Sequence, residues 1–179
     1  AAHHQGVGVQ ATQIPGVAQR TGATTYYLEV MPARGPQPPV LALNPAIGEV
    51  DVALATELLE AGRMIFNGFV TPDRTTLIAS THRVLAIAER TSMGDGSFDV
   101  GRLLRAVKER SKEQILFDMD QAAEESGGVI NAVLLGALAG AGKLPIPDAA
   151  FEAAIRHAGK SIDTNLAAFA FGRGHARGE

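Results

Sequence analysis

With 179 residues, 16 Lys and Arg against 19 Asp and Glu, a net charge of −3 and no cysteine, the chain fits one domain spanning 1–179 whose core needs neither disulfide nor structural metal. The missing thiols exclude a cysteine-ligated iron–sulfur cluster, a thiolate nucleophile and a disulfide framework. Two tyrosines, no tryptophan and no basic stripe argue against nucleic acid; apolar runs too short for a bilayer and the absence of a leader pattern argue against a membrane and for the cytoplasm.

Val7 to Gln13 alternates loosely and reads as a short strand, and Ala23 to Met31, β-branched and aromatic, reads as a second. Between them lies a turn that displays Gln19 and Arg20 between Gly16 and Gly22, a polar tip carried by strands, where binding groups tend to sit. Pro32 to Pro39 holds four prolines and cannot continue a sheet, so it reads as an exposed excursion before a short strand at Val40 to Leu43. Asp51 to Ala55 is an apolar run that passes straight into a helix at Glu57 to Asn67, with Leu58, Leu59, Gly62, Ile65 and Phe66 as its buried face.

Thr75 to Ser80 is continuously apolar and β-branched, the mark of a strand covered on both faces. Val100, Leu103, Leu104 and Val107 recur at helical spacing behind Asp99 as N-cap, and Gln114 to Met119 supplies another buried strand. The rest reads as helix: Val129 to Ala141, rich in Ala and Gly; Asp148 to Ala158, opened by Pro147; and Ser161 to Phe171. The small residues of the first of these suit close packing, either inside the domain or against a second copy in a homo-oligomer. Strands alternating with helices predict a three-layer, Rossmann-like α/β domain with a mostly parallel sheet and a helical C-terminal end.

Few motifs carry chemistry. Gly94-Asp95-Gly96 opens like the thiamine-diphosphate signature but lacks its asparagine at the right distance, and Gly6-Val7-Gly8 precedes a strand instead of following one, so neither supports a cofactor site. His82, His157 and His175 have no histidine or carboxylate at metal-ligand spacing and read as surface or capping residues. Asp118 and Asp120 flank Met119 where they can meet a cation, although closing the strand and capping the next helix is the simpler role. Thr81, His82 and Arg83 follow a buried strand and so fall at a C-terminal sheet edge, where α/β folds place ligands; Glu57 sits at a similar switch and complements a helix N-terminus.

Taken together, Gln19-Arg20-Thr21-Gly22-Ala23, the segment Asp51 to Ala61, and the tail from Gly128 to Leu138 through Phe151 to Ile155 and Asn165 to Phe169 resemble the gamma domain of 2-oxoacid:ferredoxin oxidoreductases, in particular the beta subunit of the indolepyruvate branch. The resemblance covers nearly the whole chain, is specific in order and spacing, and includes no catalytic motif.

It implies a domain without cofactor of its own and without activity alone, in a complex where other subunits carry thiamine diphosphate, magnesium, iron–sulfur clusters and coenzyme A and pass electrons to ferredoxin. It further implies that the loop at Gln19, Arg20, Thr21 and Gly22 faces the subunit bearing thiamine diphosphate and iron–sulfur clusters, although Thr21 and Ala23 stand where the family favours glycine-like residues. The family's opening strand and Gly-Gly-Gln-Gly-type turn are not found before Gly6, so the expectation is a truncated record or a gap filled by a partner. The competing expectation is a free-standing α/β module holding a small anionic ligand near Thr81 to Arg83. A nicotinamide dehydrogenase lacks its glycine-rich turn here.

Overall fold

The computed structural model describes residues 8–14, 24–31, 42–82 and 100–179. The predicted loop at Gln19 to Gly22, the proline-rich excursion, Gly94 to Gly96, Asp99 as N-cap and Arg83 lie outside the described residues.

Two strands at the start, β1 (Gly8–Ile14) and β2 (Thr25–Met31), pair antiparallel with Val9 opposite Val30, Ala11 opposite Leu28 and Thr12 opposite Tyr27. They form a ribbon of their own. The main sheet runs β3 (Val52–Ala55), β4 (Thr76–Ser80) and β5 (Glu113–Phe117) in that order, all parallel, with Ala53 opposite Leu77 and Ile78 opposite Ile115. All five residues of β4 are buried, as expected for a central strand covered on both faces.

Alternation along β4 divides the core. Leu77 and Ala79 face one side, where α1 (Leu58–Phe66) and α2 (Val100–Arg110) bring Ala61 and Val107 onto Ala53 and Ala55. Ile78 faces the other, where α3 (Met119–Ser126), α4 (Ile130–Gly140) and α6 (Ile162–Arg177) contribute Met119, Val133 and Ala168. Beyond them α5 (Asp148–Ala158) closes a smaller cluster through Phe151, Ile155 and Phe169. The result is the expected three-layer α/β arrangement with a helical C-terminal end.

The small residues of α4 serve packing within the chain. A Cβ on Gly136 would collide with the Phe169 carbonyl, and one on Gly172 would collide with the Val133 carbonyl, so α4 and α6 meet backbone to backbone along reciprocal glycines. The last helix, expected over Ser161 to Phe171, runs on to Arg177, and this contact supports its passage through Gly172. Helix propensity lost at Gly172 is offset by close approach.

Several expectations are corrected. Ala42 and Leu43 form no strand, because their backbone groups are claimed by side chains of the ribbon: Gln10 Nε2 donates to the Ala42 carbonyl, Thr12 Oγ1 to the Leu43 carbonyl, and the Ala42 N–H donates to Glu29. Phe66 is 90% exposed, since it lies about 80° round the helix from Leu58 and the buried stripe is Leu58 and Ala61 with Met64 and Ile65. Leu104 likewise turns off the face that Leu103 and Val107 bury. Strand β5 ends at Phe117, and Met119 already belongs to α3.

Candidate functional site

Parallel strands bring their carboxyl ends to one edge, so the segments after β3, β4 and β5 converge there. The fully buried Ser80, last residue of β4, ties two of them together. Its Oγ accepts the His82 N–H at 3.2 Å and the Met119 N–H at 3.1 Å, while the Thr81 N–H donates to the Phe117 carbonyl at 2.9 Å. One hydroxyl thus fixes the exit of β4 against the start of α3.

Asp118 is the N-cap of α3, with extended backbone and Oδ1 accepting the N–H groups of Asp120 and Gln121 at 3.1 and 3.0 Å. The simpler role expected of it is therefore present. Capping uses one carboxylate oxygen and turns the other toward the exit of β4. His82 Nδ1 stands 3.7 Å from Asp118 Oδ2 and 3.9 Å from Asp120 Oδ2. The expectation that His82 lacks carboxylate neighbours is corrected: the strands supply a proximity that spacing along the chain conceals.

Beside this group opens a cleft of about 190 Å³ lined by Phe117, Asp118, Gln121, Ala122, Glu125, Phe171 and His175. The His175 ring packs on Phe117 with centroids 4.1 Å apart, and Gln121 donates to Glu125 at 2.8 Å. Glu57 shares the same sheet edge as the N-cap of α1, but its side chain makes no capping hydrogen bond; its carbonyl accepts from Glu60 and Ala61. The acidic residue of that first turn is Glu60. Of the sheet-edge candidates, the structure gathers Thr81 and His82 with Asp118 and Asp120, and puts Glu57 at the end of the neighbouring strand.

A second surface is presented by the ribbon. Its polar face, with Gln10, Thr12 and Glu29, is bonded to residues 42–43, and Tyr27 donates to Glu29 at 2.6 Å, which with partial burial pushes its phenol up to about 12. The opposite face carries Val9, Ala11, Tyr26 and Leu28, with Tyr26 65% and Leu28 58% exposed. Apolar side chains pointing outward from a two-stranded ribbon are not a self-sufficient arrangement.

The profile of one family, pyruvate ferredoxin/flavodoxin oxidoreductase, matches residues 1–174. The chain belongs to that family. Membership makes it part of a 2-oxoacid oxidoreductase assembly built with partner subunits. No curated protein matches the chain. Among the described residues no helix is long and apolar enough to cross a membrane.

Proposed function

We propose that the chain is the domain of a 2-oxoacid:ferredoxin oxidoreductase, of the indolepyruvate type, that carries no cofactor itself and docks on the subunit holding thiamine diphosphate and iron–sulfur clusters. The observation that supports this reading most is the outward apolar face of the ribbon, a surface suited to burial by another chain. The absence of cysteine means that the clusters need thiolates from other subunits. On this reading thiamine diphosphate with its magnesium supplies the decarboxylation chemistry there, coenzyme A takes up the acyl product, and ferredoxin receives the electrons. This chain shapes and closes the assembly.

The experiment is co-purification of the chain with candidate thiamine-diphosphate and iron–sulfur subunits, followed by indolepyruvate-dependent reduction of a ferredoxin or viologen. Activity only in the complex, lost when Leu28→Asp prevents assembly, is the expected result. A chain that stays alone with such subunits overturns it.

The competing idea of a small anionic ligand at the edge after β4 is weakened by what surrounds His82. Two carboxylates, Asp118 and Asp120, face that position, and their field repels an anion. The same edge suits a cation better.

A further inference from the structure

We propose that His82, Asp118 and Asp120 form a binding site for one divalent first-row transition ion at the carboxyl edge of the sheet. The inference stands apart from the partner reading and uses residues of this chain alone.

The donor set is an imidazole with two carboxylates, a combination that suits manganese, iron or zinc. One ligand atom from each residue lies within 4.8 Å of the other two. Nδ1 of His82 is 3.7 Å from Asp118 Oδ2 and 3.9 Å from Asp120 Oδ2, too far for hydrogen bonds between them. Ligands in adjacent positions about an ion, each about 2.1 Å away, stand about 3 Å apart, so the triad closes around a cation by shifts of less than about 1 Å. The groups converge on a space of ionic size without satisfying each other.

Two further features belong to the framework and not to the charges. Asp118 is held by its capping bonds through Oδ1, which leaves Oδ2 oriented and available, and His82 is held through its backbone N–H by buried Ser80. The Asp118 carboxylate is thus oriented by surrounding hydrogen bonds, and His82 is anchored at its backbone. Of the three residues, Asp118 also lines the neighbouring cleft. An ion there would also relieve the repulsion between the two carboxylates.

The test uses the full chain and Mn2+ alone. Free Mn2+ is followed by its electron spin resonance as the chain is added, and the bound ion is probed for coupling to a nitrogen nucleus. One saturable ion per chain is expected, with nitrogen coupling that disappears in His82→Ala. His82→Ala, Asp120→Asn and Asp118→Asn each weaken binding by at least about tenfold, and Glu125→Gln in the cleft leaves it unchanged. Asp118→Asn retains a good capping residue, so its loss of binding cannot be assigned to an unfolded α3. No saturable binding at millimolar Mn2+, a bound ion without nitrogen coupling, or affinity in the three triad variants equal to that of the unaltered chain overturns the proposal.

Discussion

The three-layer body and the β1–β2 ribbon bury opposite chemistry. In the body the strand residues that form the core, Ala53, Ala55, Leu77, Ile78, Ala79 and Phe117, are small or apolar, and α4 meets α6 so closely that their glycines touch the facing backbone. In the ribbon the inward face is polar, bonded to the backbone at Ala42 and Leu43, and the apolar residues Tyr26 and Leu28 point outward. A body of that kind is stabilised by its own contacts. A ribbon of that kind gains by contact with another chain, so side-chain changes in the two regions should be felt in different measurements.

The largest effect falls on the body. Gly136→Ala directs a methyl group into the Phe169 carbonyl, where backbone must move, and destabilises by about 3 kcal/mol although Ala is the better helix former by about 1 kcal/mol. Urea denaturation reads the sign directly. A stabilised variant would mean that α4 and α6 are not in backbone contact.

Next comes Ser80→Ala. It leaves the His82 and Met119 N–H groups without their acceptor, at a site where Ser80 is wholly buried, and costs about 1 to 3 kcal/mol. Asp118→Ala removes the cap of α3 and costs about 1 kcal/mol, whereas Asp118→Asn changes stability by only a few tenths. Equal losses in the two Asp118 variants would show that charge, and not the cap, matters for folding there. For the ribbon, Leu28→Ser should alter the unfolding free energy, read by urea denaturation, by less than about 0.5 kcal/mol, because that side chain is 58% exposed, yet weaken association with partner subunits. A large stability loss would place Leu28 in the fold and remove the contrast between the two regions.

Much of the body could be read from the chain because its signals are local. The unbroken apolar run at Thr76 to Ser80 reads as a strand covered on both faces, and the switch from Ala55 into Leu58 is marked by a short continuous apolar run giving way to helical spacing. What escaped depends on contacts between distant segments. Phe66 looked like core because it is apolar and near the stripe, but only the position of the sheet decides which side of α1 is covered. The reading that ends the last helix at Phe171 misses its run to Arg177, because propensity does not see the Val133 carbonyl waiting across the helix seam at Gly172. The group at His82 was invisible for the same reason: parallel pairing of β4 with β5, not spacing along the chain, carries Asp118 and Asp120 to it.

The smallest effect is electrostatic and sits on the ribbon's inward face. Tyr27 donates to Glu29, and that bond, with desolvation and the carboxylate's charge, pushes the phenol up to about 12 from the ordinary 10. Because the folded-state value is raised, the protonated phenol adds stability that is fully present below about pH 10 and is lost as pH rises through about 12. Absorbance titration of the phenolate should therefore show a late step, and Glu29→Gln, which removes the carboxylate charge and the strongest acceptor, should bring that step down toward 10. An unshifted late step in Glu29→Gln would mean that burial alone holds the phenol protonated. The same substitution weakens the acceptor for the Ala42 N–H, so a lowered step together with faster amide exchange at Ala42 would tie the inward polar face to residues 42–43 and leave the outward apolar face as the one turned toward a partner.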